Sequence, residues 1–379
     1  MPHSNQTIIC VAGMHRSGTS MITRLLNLCG MDIGIEKDMM PAGPANPEGY
    51  WEHIWFNYYN NQILEFFRGA WDIVPVYSEK WQDTPGIHWI KREASTMVER
   101  FTVRVWGWKD PRNSITLPFW KAVLPQMKTL VCLRNPLDVA NSLNKRGSSS
   151  IIFSLQLWWQ YNSQLLLNTT EQDRVVTHFD AYFHDGPAEL NRLVQALGIT
   201  ASEAGIEEAM KASNASLRHS VTSIEKLASL VPWDGLMETY CKLLTESGEV
   251  CRATIGDEWD KVLEWAAKWT PASCCLPTAV TGHELLQVIT NLTAELEART
   301  TSLQDEINAA REEVSELQMQ QERMLSSVTQ VSAQRDGALA RCESIAAENA
   351  AIKSSKTWKL LVRAGSFGMK SGLVRNVSK

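Results

Sequence analysis

The chain has 379 residues, 44% of them hydrophobic and 21% charged, and a net charge of −5. That is enough for one large domain or two smaller ones, and too acidic for general nucleic-acid binding, which needs a basic footprint. Eight cysteines without a second CxxC-type pair argue against a disulfide scaffold and a structural zinc site, and fit reduced thiols in a cytosolic setting. The apolar run Ile8–Gly13 is too short for a signal-peptide core or a membrane span, so neither is expected there.

Ile8–Ala12 reads as a buried parallel strand. A glycine-containing loop follows it. Met21, Leu25, Leu26 and Leu28 then predict a helix that stops near Gly30. Residues 31–50 read as loop, Trp51–Phe67 as helix, and Trp71–Gly86 as irregular. Lys128–Leu133 is a second strand ending at Arg134, with a helix able to start after Pro136. Ile152–Thr169 is a helix, Arg174–Phe179 a third strand, and Pro187–Leu197 a helix ended by Gly198. Trp259, Val262, Leu263, Ala266 and Trp269 share a helical face expected to pack on the body. Strands alternating with helices predict an α/β fold, a P-loop-type parallel sheet flanked by helices, over residues 1–275.

Residues 270–282 mark a boundary. Beyond it, Leu285, Ile289, Leu292 and Leu296 start a heptad pattern, which slips near Leu303. It then continues through Ile307, Ala310, Val314, Leu317, Met324, Val328, Val331, Ala338, Cys342, Ile345 and Ile352, broken only by Gln321, Arg335 and Asn349. A 3.5-residue period held this long predicts a C-terminal coiled-coil helix over 283–352 and hence a homo-oligomer. The alternative is a single solvated helix, because the seam is rich in Ala and Gln. Charge follows the same division: net −5 over 1–282, −7 over 283–352 and +7 over 353–379. Only two of the 31 aromatic residues, Trp358 and Phe367, lie beyond position 270, so an aromatic core belongs to the first part alone.

Gly13-Met14-His15-Arg16-Ser17-Gly18-Thr19-Ser20 joins the first strand to a helix, where a phosphate loop belongs. Gly13 and Gly18 match the start of a Walker A loop, but the following lysine is replaced by Thr19. That disfavours ordinary nucleoside triphosphate hydrolysis. In Arg134-Asn135-Pro136-Leu137-Asp138-Val139-Ala140-Asn141-Ser142, an arginine ends a strand and a serine follows eight residues later. Arg134 offers a planar fork of donors to a phosphate, and Ser142 adds a hydroxyl.

These two motifs resemble the sulfotransferase superfamily. Arg16-Ser17-Gly18-Thr19 is similar to its 5′-phosphosulfate loop, and the Arg134–Ser142 string to its 3′-phosphate motif. Lys109-Asp110-Pro111-Arg112 resembles the Lys-Asp-Pro string of the bacterial and tyrosylprotein-type branch. The resemblance covers about residues 6–200, reaching to 270 at its widest, and implies a donor, 3′-phosphoadenosine 5′-phosphosulfate (PAPS), with no metal. It implies that Arg16, Ser17, Gly18, Thr19, Ser20, Arg134 and Ser142 bind the donor, and that Arg16 and Lys109 stabilise the transferring group. In that branch a glutamate downstream of the first helix is the base. Glu52, expected to open the second helix, is the leading candidate here, with Glu48 and His53 as alternatives. His15 is expected to be structural or to touch phosphate. Arg218-His219 is a basic pair that would touch the 3′-phosphate, the acceptor or solvent.

Ser355–Arg363 is similar to a short Ser-x-x-Trp-Arg/Lys-Leu element that follows coiled coils in bacterial surface-glycan enzymes. With seven basic and no acidic residues, the segment 353–379 is expected to lie on an anionic membrane surface or to be a solvated end. The expected function is sulfuryl transfer from PAPS to a hydroxyl of a glycan or glycolipid, in the cytoplasm or at the inner membrane face. The alternatives are a kinase-like phosphotransferase and a non-catalytic nucleotide-binding scaffold assembled by the coiled coil.

Overall fold

The computed structural model describes residues 6–41, 43, 49–147, 149–212, 221–231, 233–275, 282–357, 359, 360 and 363, with backbone alone at 282–293, 295 and 296. Glu48, the Arg218-His219 pair and residues 364–379 of the tail lie outside the described residues, as do the side chains of the early heptad residues Leu285, Ile289, Leu292 and Leu296. The chain divides into two units, residues 1–292 and 293–379.

The first unit is built on four parallel strands: β1 (Thr7–Ala12), β2 (Val105–Lys109), β3 (Lys128–Leu133) and β4 (Arg174–His178), in the order β2-β1-β3-β4. Its helices are α1 (Thr19–Leu28), α2 (Ile54–Phe66), α3 (His88–Val98), α4 (Asn113–Val123), α5 (Pro136–Asn144), α6 (Ile151–Asn168), α7 (Ala181–Leu197), α8 (Glu203–Lys211), α9 (Ile224–Leu230), α10 (Asp234–Thr245), α11 (Glu249–Ile255) and α12 (Trp259–Ala266). Period-2 alternation in β1 splits the core into two layers. Ile8, Cys10 and Ala12 face one layer, which includes Trp106, Trp108, Trp120 and residues of α2–α6. Ile9 and Val11 face the other, formed with α1, α7 and α8. Both faces are covered, which is why β1 and β3 read as unbroken apolar runs.

β2 has no such run, only Val105, Trp106 and Trp108 as strand-favouring residues. Gly107 interrupts it, yet this glycine is what lets it pair. A Cβ there would lie 2.4 Å from the Ile9 carbonyl oxygen and 3.0 Å from Met31 Sδ. The flanking Trp106 and Trp108 are fully buried, stacked on Phe101 and Phe56 with ring centroids 4.3 and 4.4 Å apart.

Other boundaries differ from those the sequence predicts. α2 starts at Ile54 rather than Trp51, because His53 caps it, with Nδ1 accepting from the Trp55 amide. α7 starts at Ala181 rather than Pro187, with a kink at Asp185 that accommodates the proline. Gly198 ends α7 in the left-handed conformation that favours glycine. On α12, Val262 is buried but Leu263 is exposed, so the apolar face is narrower than its residue types imply. Pro271–Cys274 folds onto the body: Trp159 Nε1 donates to the Ser273 carbonyl at 2.9 Å.

α13 (Gly282–Ser354) is a single helix of 73 residues, running into the second unit. No described helix is long and apolar enough to cross a membrane.

Candidate functional site

The chain leaves β1 for β2 on one side of it, and later enters β3 on the other. Ligands of open parallel sheets bind where the strand order reverses, at the carboxyl ends of the strands. The Gly13–Ser20 loop lies at that point. A Cβ on Gly13, at φ +140°, would meet the Cys132 carbonyl oxygen of β3 at 2.4 Å. The Gly13 amide is held by Ser114 Oγ at 3.0 Å. Gly18, at φ +81°, is the N-cap of α1, and a Cβ there would lie 2.2 Å from the Phe179 ring. Arg16 takes a left-handed conformation at φ 70° although it is not glycine. The loop is thus wound tightly around its own amides.

Features of this loop fit an anionic group. No side chain caps α1, so the first-turn amides and the positive end of the helix dipole remain for an anion. Ser17 Oγ is buried with no hydrogen-bond partner among the described residues. The Ser20 hydroxyl donates to the Tyr50 carbonyl at 3.1 Å. It ties the loop to the segment before α2 as well as standing in the first turn. The Thr19 side chain is buried at the head of α1.

The second motif meets the first. Arg16 Nε donates to Ser142 Oγ at 2.9 Å, across 126 residues of sequence. Arg134 Nη1 donates to the Arg16 carbonyl at 3.2 Å, and its guanidinium lies over the Phe179 ring, 4.5 Å from the centroid. Asn135 caps α5 by accepting from the Leu137 amide at 3.0 Å, with Pro136 at the first helical position. That cap fixes where Arg134 leaves the strand. Phe179, one residue past β4, packs on both motifs; its place at a strand end carries no chemical signal in the sequence. Burial, followed by the nearby Arg146 and Arg134 charges, lowers the Arg16 pKa to about 10. A cluster of guanidinium groups of this kind is a place for polyanionic ligands.

The third motif lies on the other side of β1. The β1–β2 register pairs Val11 with Lys109, so Lys109 ends its strand beside the loop. Glu52 is not in a helical turn, as expected from sequence, but in the extended residues before α2, and it is buried. Its Oε1 accepts from Lys109 Nζ at 2.7 Å, and its Oε2 from Asn57 Nδ2 at 3.1 Å and Arg112 Nη2 at 3.3 Å. Arg112 also donates to Asp110 Oδ1 at 2.8 Å and Asn61 Oδ1 at 2.7 Å. The motif reading assigns Arg112 no role, although the Lys-Asp-Pro-Arg string contains it. Two cations and two carboxylates neutralise each other here.

A polar network behind the cluster holds it in place. Asn60 Oδ1 accepts from Thr116 Oγ1 and Trp120 Nε1, and Asn60 Nδ2 donates to Asn113 Oδ1. Asn113 Nδ2 donates to the Val11 carbonyl of β1 at 3.0 Å. α2, α4 and the end of β1 are thereby locked together, with every one of these groups buried.

The two histidines are structural in their contacts. His53 packs against Phe56 and Phe101, each at 5.6 Å, and caps α2. His15 lies against Trp71 at 4.9 Å and Tyr161 at 6.0 Å. Burial and then the Arg112 charge lower the His15 pKa to about 3, so its imidazole is neutral near pH 7. Among the described residues there is no group of three or more His, Cys, Asp or Glu placed to hold a metal.

No family model and no curated protein matches the chain. Solved structures do. The sulfotransferase STF1 of Mycobacterium tuberculosis H37Rv matches at 13% identity, over 63% of this chain and 77% of that one, with a TM-score of 0.35. A sulfotransferase of Alicyclobacillus acidocaldarius matches at 14% identity, over 69% and 99%, with a TM-score of 0.35. A retinol dehydratase in complex with androsterone and the inactive cofactor PAP matches at 16% identity, over 73% and 83%, with a TM-score of 0.29. The solved structures to which the chain is similar thus include two bacterial sulfotransferases.

Proposed function

We propose that the chain transfers a sulfuryl group from PAPS to an acceptor hydroxyl on a glycan or glycolipid. The observation that carries the reading is the 2.9 Å bond between Arg16 and Ser142. It joins the loop suited to a 5′-phosphosulfate to the motif suited to a 3′-phosphate, the group that distinguishes this donor from ATP. The loop amides, Ser17 and Thr19 would hold the 5′ side; Arg134 and Ser142 would hold the 3′-phosphate. When bound, the donor supplies an electrophilic sulfur and a good leaving group, adenosine 3′,5′-bisphosphate. The residues of the chain do the rest. Glu52 takes the proton of the acceptor hydroxyl as that oxygen bonds to sulfur. Lys109 and Arg16 offset negative charge on the equatorial and bridging oxygens. Asp110 and Asn61 aim Arg112, which with Lys109 and Asn57 fixes the orientation of the Glu52 carboxylate.

The acceptor class follows from the likeness of Ser355–Arg363 to an element of surface-glycan enzymes, and from the basic tail, which would work from the cytoplasm at the inner face of a membrane. Calorimetry with adenosine 3′,5′-bisphosphate and with ATP tests the donor. The bisphosphate should bind more tightly, and Arg134→Ala should lower its affinity by roughly 10- to 100-fold, as expected of a charge-assisted phosphate contact. Preference for ATP would instead favour a phosphotransferase.

A further inference from the structure

The second unit presents a helix with an apolar stripe and no described neighbour across it. Leu303, Ile307, Val314, Leu317, Met324, Val328, Val331, Ile345 and Ile352 are all about half exposed or more. A solitary helix of about 110 Å gains little from such a stripe, since helices in water are stabilised mainly by packing an apolar face.

We propose that α13 pairs with α13 of a second copy of this chain, as a parallel, in-register, two-stranded coiled coil. The residues at the seam and beside it select that arrangement. The 4,3 spacing places Ile307, Val314, Gln321, Val328, Arg335, Cys342 and Asn349 at a, and Leu303, Ala310, Leu317, Met324, Val331, Ala338, Ile345 and Ile352 at d. β-Branched residues at a with leucine at d favour two parallel strands, a pattern this seam carries in its first part at Ile307, Val314 and Val328 with Leu303 and Leu317, and the asparagine Asn349 at a sets register. In the parallel register each g residue faces the e residue five positions later on the other chain. Glu306 then meets Arg311, and Glu348 meets Lys353; no g–e pair along the stalk brings like charges together. Arg335, the one charge in the seam, already has its guanidinium on Asp336 Oδ1 at 2.7 Å, at the adjoining b position. Register also brings each a residue against its own copy, so Cys342 of the two chains become neighbours.

That last consequence gives the test. Of the eight thiols, only Cys275 and Cys342 are exposed and Cys274 is half-buried; the other five are buried. Full-length protein is treated with a short bis-maleimide and run on a denaturing gel, in parallel with sedimentation equilibrium. The expected result is a mass twice 42.6 kDa and a covalent dimer that persists in Cys275→Ser and disappears in Cys342→Ser. Glu306→Lys should weaken the dimer at low salt by roughly tenfold, since two symmetry-related pairs become repulsive. Adding Arg311→Glu to the same chain should restore it. A monomer across micromolar concentrations, a three-chain mass, or a dimer that Cys342 cannot cross-link would each overturn the proposal. The last of these would mean an antiparallel or shifted pairing.

Discussion

Replacing Glu52 by glutamine separates what the carboxylate does for the fold from what it does for chemistry. Glutamine has nearly the same shape, but it removes the negative charge against which Lys109 rests. The pair is 2.7 Å apart, with side chains only 2% and 8% exposed. Removing one partner of a buried pair costs about 3–5 kcal/mol, because the other charge is left without compensation. Arg112 keeps Asp110 and Asn61, and the new amide oxygen can still accept from Lys109, so the low end applies, about 3 kcal/mol. For a body of this size that is roughly 6–12 °C in melting temperature. Loss of a general base should lower turnover by about 10²–10⁴-fold. The two effects are distinguished by Glu52→Gln combined with Lys109→Met. The double variant removes both charges and should regain most of the stability, while staying inactive. The assays are thermal unfolding and transfer of labelled sulfate from PAPS, the latter run well below the melting point of each variant. Turnover within a few-fold of the parent would move the base elsewhere. An unchanged melting point would mean that Glu52 and Lys109 do not form a closed, desolvated pair.

Three further outcomes are expected. Gly18→Ala places a methyl 2.2 Å from Phe179 at a φ of +81°, so it should cost ~1–2 kcal/mol for the left-handed backbone plus the clash. Adding Phe179→Ala should relieve the clash but not the backbone cost; equal unfolding free energies for parent and Gly18→Ala would refute the tight loop. Asn60→Leu should destabilise by about 1–3 kcal/mol, since it leaves the buried Trp120 indole N–H without its acceptor, while Thr116 keeps the Arg112 carbonyl and Asn113 keeps Trp108. A urea midpoint unchanged by that substitution would show the network to be dispensable. His15 sets a pH dependence. Its folded pKa, about 3, lies below the ordinary 6.5, so between those values the unfolded chain takes up a proton that the folded chain refuses. Its contribution is complete above pH 6.5 and lost as pH falls toward 3, at no more than ~1.4 kcal/mol per pH unit. Urea unfolding at pH 7 and pH 5 should therefore show a smaller loss in His15→Gln than in the parent, and equal losses would contradict a buried neutral imidazole.

The features legible in the sequence are those set by neighbours along the chain. β1 and β3 announce themselves as largely apolar runs, because a strand buried on both faces has few polar positions, whereas β4 shows only the pair Val175 and Val176 between Arg174 and Thr177. The Gly13–Ser20 and Arg134–Ser142 motifs can be read for the same reason: each is a strand end, a turn and a helix start, with fixed local spacing. Even α13 is legible as a long helix, since its period needs no partner to be seen. β2 is not, because Gly107 is explained only by the Ile9 carbonyl that faces it across the sheet. Nor is the helical boundary before Ile54, which depends on which side chain caps.

The electrostatics of the site came from packing in three dimensions. Glu52 and Lys109 are 57 residues apart in sequence, and only the β1–β2 register and the Asn60–Asn113 network bring them to 2.7 Å. Packing also turned Ser20 toward Tyr50 and seated Phe179 against both Gly18 and Arg134. Charges and ring faces act through space, with energies that depend on burial and distance; backbone preference and periodicity act through bonds. The order of residues along the chain therefore marked where an anion could bind, and the packing of α2 and α4 on the sheet selected which carboxylate stands beside it.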